Sequence, residues 1–118
     1  MKLKPFLLIF LASLFIASAH VVLADSSMTI DVPVGDYQDI YIRAYGTVNL
    51  TLVMSNSDVD YDLYVYLDSN DAFCDSGPSP GADYYSIHGA GITDSVTFNY
   101  NGYARVVVRH YSGEGTAT

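Results

Sequence analysis

Asp58-Val59-Asp60-Tyr61-Asp62-Leu63-Tyr64-Val65-Tyr66-Leu67-Asp68 alternates polar and apolar side chains almost without a break. Side chains of a strand point to opposite faces with period two. Val59, Tyr61, Leu63, Val65 and Leu67 are therefore expected to face a core. Asp58, Asp60, Asp62, Tyr64, Tyr66 and Asp68 are expected to face water or a ligand.

The same period recurs on both sides of this strand. Met28, Ile30 and Val32 share one face of a short strand that Pro33-Val34-Gly35 ends. Between Asp36 and Tyr45, Ile40, Ile42 and Ala44 oppose Tyr37, Asp39, Tyr41, Arg43 and Tyr45. Gly46 is read as a turn into a strand from Thr47 to Met54, with Val48, Leu50, Leu52 and Met54 on one face. Ser69 to Ala82 is the longest irregular stretch, rich in turn-forming residues. Asp83 to His88 reads as a weaker strand. Ser95 to Tyr100 and Tyr103 to Tyr111 flank Asn101-Gly102, a dipeptide that favours a two-residue hairpin. Thr116 to Thr118 is expected to begin a last edge strand. Seven or eight short strands with regular turns, and no helical period, predict an all-β sandwich or barrel.

Lys2 and Lys4 precede an apolar run from Phe6 through Ala17, and small-residue sites follow at Ala17-Ser18-Ala19 and Val22-Leu23-Ala24. This is the layout of a secretory signal peptide, cleaved after Ala19 or Ala24. The apolar run falls short of the ~20 residues that span a bilayer. The remainder, residues 25–118, suits one small domain with a modest core. It carries three arginines against thirteen acidic residues, a net charge of −10. Such a surface repels nucleic acid and anionic membrane and suits divalent cations or basic partners. A secreted domain of this size often relies on disulfides, yet Cys74 is alone. It fits a small buried hydrophobe or an intermolecular bridge.

Asp58, Asp60 and Asp62 copy the first three ligand positions of a calcium loop. The glycine and distal glutamate of an EF-hand are missing, so the choice lies between a solvated acidic face and a calcium site of another kind. Asp68, Asn70, Asp71 and Asp75 add further oxygen donors. Eleven tyrosines with no tryptophan suggest a second surface. Tyr37, Tyr41, Tyr64 and Tyr66 would form a ligand-binding platform if their strands lay side by side. Ordinary sheet-surface tyrosines are the alternative. Catalysis has little support: His88 and His110 lie near no nucleophile-elbow serine, and no paired histidines suggest zinc. Asn49-Leu50-Thr51 is a glycosylation sequon placed within a strand.

At Asp60 to Val65 and again at Tyr103 to Thr118 the chain resembles a bacterial pre-peptidase C-terminal domain. The resemblance implies a jelly-roll-like antiparallel β-sandwich of the kind appended to secreted hydrolases. Such domains assist secretion or bind polymeric substrates, and collagen-binding members also bind calcium. It also implies that Asp62 is a structural hydrogen-bonding residue. Ser95 occupies the place where some members carry a cysteine partner for the one resembling Cys74. The targeting segment runs almost directly into the domain, so a stand-alone module is expected. The expected function is a secreted, non-catalytic binding or adhesion module for an extracellular protein or polysaccharide, steadied by calcium in one version. The rivals are a structural subunit that self-assembles by strand addition at an open edge near Thr118, and an accessory factor or inhibitor of a secreted protease.

Overall fold

The computed structural model describes residues 20–22 and 26–118. The expected signal peptide therefore lies almost wholly outside the described residues. Five strands form one sheet: β1 (His20–Val22), β2 (Tyr37–Leu52), β3 (Asp60–Leu67), β4 (Tyr84–Ser86) and β5 (Asp94–Ser112). Their spatial order is β1-β2-β5-β3-β4. β2, β5, β3 and β4 each run antiparallel to the next, and β1 lies parallel along the outer edge of β2. Cleavage after Ala19 leaves β1 on the mature chain, and cleavage after Ala24 removes it. The only helical element among the described residues is a 3-10 turn at Asp71–Cys74. No helix among them is long and apolar enough to cross a membrane.

The chain is all-β as expected, but its strands are fewer and two are much longer. Gly46 is not a turn, and Asn101-Gly102 is not a hairpin. Both lie inside continuous strands and nearly face each other, with Tyr45 opposite Asn101 and Gly46 opposite Tyr100. The phase of the apolar residues explains this. A two-residue hairpin at Asn101-Gly102 would pair Phe98 with Arg105 and point both the same way. The inward residues are instead Val96, Phe98, Ala104, Val106 and Val108, an unbroken period of two through the glycine. Ile40 to Leu52 likewise keeps one phase through Gly46. The glycines serve as kinks: φ is +87° at Gly46 and +154° at Gly102, conformations that other residues rarely adopt.

Nothing lies within 4 Å of a Cβ added at Gly46, so only backbone strain opposes Gly46→Ala. That substitution is expected to lower stability by about 1–2 kcal/mol, read as a lower urea midpoint at constant m-value. An unchanged midpoint would show that the ribbon bends there without needing a glycine.

The core takes Ile42, Leu52 and Phe98 from the long ribbon, Val59, Leu63 and Val65 from the β3 segment, and Ile30, Met54 and Ala117 from outside the strands. The expected strand around Met28 reduces to one bridge, Ile30 to Ala117, and Met54 pairs with Ala117 as well. Thr116 to Thr118 is therefore no open edge. Ala117 exchanges both backbone bonds with Ile30 on one side, while Thr116 and Thr118 bond Ser55 and Val53 on the other. Strand addition at that terminus has no free ladder to extend.

The outward half of β3 also differs from expectation. Asp60 and Asp62 are 7% exposed and Tyr66 is fully buried; Asp58 and Asp68 remain exposed. Over the far end of β3 the cover is the 69–82 loop, pinned by Arg105. That side chain is completely buried and donates to the carbonyls of Ala72, Phe73 and Gly77 and to Asp39. Its guanidinium lies 4.3 Å from the centre of the Tyr66 ring, and the Tyr66 hydroxyl donates to Ser79 O. A loop held by main-chain carbonyls leaves no side-chain pattern to read.

Candidate functional site

Three regions gather polar chemistry. The first is the acidic start of β3. A bulge between Asp60 and Tyr61 interrupts the pairing with β5 just where the two buried aspartates begin. Asp62 is opposite Arg109, and Asp60 is opposite Ser112. Asp94, at the start of β5, is completely buried. Burial pushes the Asp62 carboxyl up to about 6, and the charges of Asp60 and Asp94 add to this while Arg109 opposes it. Asp60 is raised too, by burial and then by Asp94, with His110 opposing. Two buried oxygens, Asp60 Oδ1 and Asp94 Oδ2, have no hydrogen-bond partner. Asp58 stands apart, exposed in the preceding turn, where its N–H donates to Asn56. The predicted trio thus separates, and Asp94 joins the two buried members. Among the described residues, no three or more His, Cys, Asp or Glu side chains stand in a metal-binding arrangement.

Asp94 also organises the end of β4. Its Oδ1 accepts from Ser86 Oγ at 2.7 Å and from the His88 backbone at 3.0 Å, and lies 2.8 Å from His88 Nδ1. A Ser-His-Asp relay needs the serine at Nε2, on the far side of the ring from the carboxylate. Here Ser86 Oγ lies 3.2 Å from Nδ1, on the carboxylate's own side. The cluster closes a turn and is not arranged as a nucleophile. No pattern links Ser86, His88 and Asp94 in sequence, because a glycine-rich turn at residues 89–91 brings them together. His110 has no nitrogen to spare. Its Nδ1 is 2.6 Å from Val32 O and its Nε2 2.6 Å from Gly113 O, with the ring stacked on Tyr61. Cys74 is exposed on the 3-10 turn rather than buried.

Two of the loop residues suggested as cation donors, Asp68 and Asn70, are engaged elsewhere. Asp68 accepts from Tyr100 Oη and from the Tyr103 N–H, which hold its carboxyl below the usual range. A Cβ at Gly102 would meet this Asp68 carboxylate at 2.9 Å, a second reason for that glycine. Asn70 caps the 3-10 turn through Ala72 N and donates to Asp83.

The second region is the predicted tyrosine platform, which does not assemble. β5 lies between β2 and β3, so Tyr41 and Tyr66 are separated by Arg105. Tyr66 is buried, and Tyr41 is half-buried and edge-on to Phe73, with ring centres 5.6 Å apart. Tyr64 is half-buried beside Asp62. Tyr37, 38% exposed, packs so closely on Gly77 that a Cβ there would meet its ring at 2.8 Å.

The third region was not singled out from the sequence. Beyond the kinks, the outer face of the β2–β5 ribbon is a row of exposed cross-strand pairs: Thr47 with Asn99, Asn49 with Thr97, and Thr51 with Ser95. Thr97 Oγ1 donates to Asn49 Oδ1 at 2.8 Å, and Asn99 Nδ2 to Thr47 Oγ1 at 3.2 Å. None of these side chains is charged. Two exposed tyrosines close the near end of the row, Tyr45 at 64% and Tyr103 at 42%. The Arg43 guanidinium lies between them, 4.6 Å and 5.2 Å from their ring centres. The alternation that marked these residues as outward was legible; the kink that joins two short strands into one long face was not.

The protein is similar to a solved structure, the pre-peptidase C-terminal domain of a collagenase from Bacillus anthracis. The two share 15% sequence identity over 83% of this chain and 88% of that one, with a TM-score of 0.59. The likeness is one of fold, that of a pre-peptidase C-terminal domain. No family model matches the sequence, and no curated protein matches it. Among the residues that carried the resemblance, Asp62 and Leu63 lie on β3 and Arg105 to His110 on β5, neighbouring strands of the sheet.

Proposed function

We propose that this protein is a secreted, non-catalytic binding module whose outer β2–β5 face holds a neutral, hydroxyl-rich extracellular polymer. The observation that carries the reading is the uncharged Thr/Asn/Ser row capped by Tyr45 and Tyr103. Amide and hydroxyl side chains both donate and accept hydrogen bonds, as sugar hydroxyls do. Tyrosine adds a flat apolar surface with a polar tip and loses little conformational entropy on contact. The surrounding charge of −10 disfavours anionic polymers, so the partner is a neutral polysaccharide. The apolar run that follows Lys2 and Lys4 and the all-β fold, similar to a domain of a collagenase, support the same reading.

Sedimentation with insoluble neutral polysaccharides, beside fibrillar collagen as the protein alternative, tests it. Tyr45→Ala is expected to weaken polysaccharide retention about tenfold, the size of a 1.4 kcal/mol contact. Its thermal midpoint should not move, because Tyr45 is mostly exposed. Retention on collagen alone would replace the polysaccharide with a protein ligand. Binding untouched by Tyr45→Ala and Asn99→Ala would remove this face from the contact.

A further inference from the structure

We infer that the outer edge of β2 from Ala44 to Leu52 receives an extended segment of a partner protein, added as a further strand of the sheet. The site lies on the edge and inner face of β2, apart from the outer face assigned to polysaccharide. β2 pairs with β5 along its whole length, but on its other side β1 reaches only Tyr41, Ile42 and Arg43. Past Leu52, Val53 exchanges both backbone bonds with Thr118. Between these two contacts, among the described residues, Ala44 to Leu52 make no backbone hydrogen bond other than those to β5. Every second residue of an antiparallel strand turns its N–H and C=O away from its partner strand. This stretch therefore presents a row of unused donors and acceptors.

Natural sheets guard such an edge with charge, proline, bulges or shortness. The opposite edge follows that rule, since β4 has three residues. Ala44-Tyr45-Gly46-Thr47-Val48-Asn49-Leu50-Thr51-Leu52 does not, for it holds no charged residue and no proline. Beside it opens a cleft of about 500 Å³. Asn49, Leu50, Thr51 and Leu52 all line this cleft. Successive residues of a strand point to opposite faces, so all four line one cleft only where it runs along the strand's edge. The core residues Ile42, Leu63 and Val106 form part of its floor. Ile40, Val48 and Leu50 share that inner face yet are only half-buried, so the face lacks cover on this side.

These features define the chemistry of the occupant. A row of backbone donors and acceptors is matched by another extended backbone, and β1 shows that this edge accepts one. An aliphatic floor calls for apolar side chains at every second position of the incoming strand. The net charge of −10 on residues 25–118 sets a second copy of the chain against itself and favours a neutral or basic partner.

Hydrogen exchange on the secreted protein tests this, with a synthetic peptide of about nine residues that alternates valine and threonine between terminal lysines. Without peptide, alternate amides from Ala44 to Leu52 should exchange fast, while those facing β5 stay protected. Peptide at about ten times its dissociation constant should slow the fast set about tenfold. The same peptide methylated at alternate backbone nitrogens keeps the side chains but cannot complete the ladder, and should protect nothing. Amides from Ala44 to Leu52 that are all protected in the dilute free protein would show a covered edge and overturn the proposal. Protection that grows with protein concentration alone would put a second copy there instead. Peptide that leaves the fast set unprotected, or equal protection by the methylated peptide, would overturn it as well. No arm involves polysaccharide, so this reading and that of the outer face fail separately.

Discussion

Arg105→Met is expected to destabilise the protein by about 3–5 kcal/mol, a large part of the 5–15 kcal/mol that holds a small domain folded. The Arg105 side chain is completely buried and makes four hydrogen bonds, to Phe73 O at 3.1 Å, Asp39 Oδ1 at 3.2 Å, Gly77 O at 2.8 Å and Ala72 O at 2.7 Å. Methionine fills a similar length but offers no donor. Three loop carbonyls and a partly buried carboxylate would lose their partner together, and the contact with the Tyr66 ring would lose its charge. The loop from Asp71 to Ser79 should then detach before the sheet melts. Limited proteolysis should cut within it at protease levels that leave the wild type intact, and the urea midpoint should fall. Arg105→Lys should recover only part of the loss, since a single ammonium cannot span Ala72 O, Gly77 O and Asp39 as the planar fork does. A loss below about 1 kcal/mol in Arg105→Met would mean that the loop is held by Tyr66 and Asn70 instead.

Arg105 also shows where the sequence was legible and where it was not. The inward half of β3 follows from alternation alone: Val59, Tyr61, Leu63, Val65 and Leu67 are all in the core. The outward half does not, because Tyr66, Asp60 and Asp62 alternate like solvent-facing residues and are buried by other segments. The loop over Tyr66 is held through main-chain carbonyls, which any sequence can supply. The long ribbon was readable in principle. Asn101-Gly102 satisfies a local turn preference, but the phase of Phe98 and Ala104 forbids the hairpin, and the phase reflects a whole buried face. A dipeptide preference amounts to little beside the burial of Val96, Phe98, Ala104 and Val106 on one side. The acidic cluster was half legible: Asp60 and Asp62 stand out by spacing, whereas Asp94 is a lone aspartate until its bond to Ser86, which pairs with Leu63, brings it near them.

Asp62→Asn is the opposite kind of change, expected to stabilise the protein at neutral pH. The Asp62 carboxyl is pushed from the ordinary 3.8 up to about 6, by burial first and then by Asp60 and Asp94, against the pull of Arg109. A folded-state value above the unfolded one means that the folded protein holds the proton more tightly. The stabilisation this provides is complete below about pH 3.8 and is lost as the pH climbs through about 6. At pH 7 the ionised carboxylate is therefore a burden of roughly 3 kcal/mol relative to acid, at 1.36 kcal/mol per unit. Asparagine keeps the shape and carries no charge, so at pH 7 it should raise stability by about 1–3 kcal/mol, the lower figure if the Arg109 attraction is lost in full. The gain should shrink toward zero by pH 4, where the wild-type carboxyl is already protonated. A variant less stable than wild type at pH 7 and equal to it at pH 4 would show the reverse, that the charge of Asp62 is held favourably by Arg109. In that case the repulsion within the acidic cluster would fall on Asp60 and Asp94 alone, the two carboxylates whose buried oxygens lack a partner.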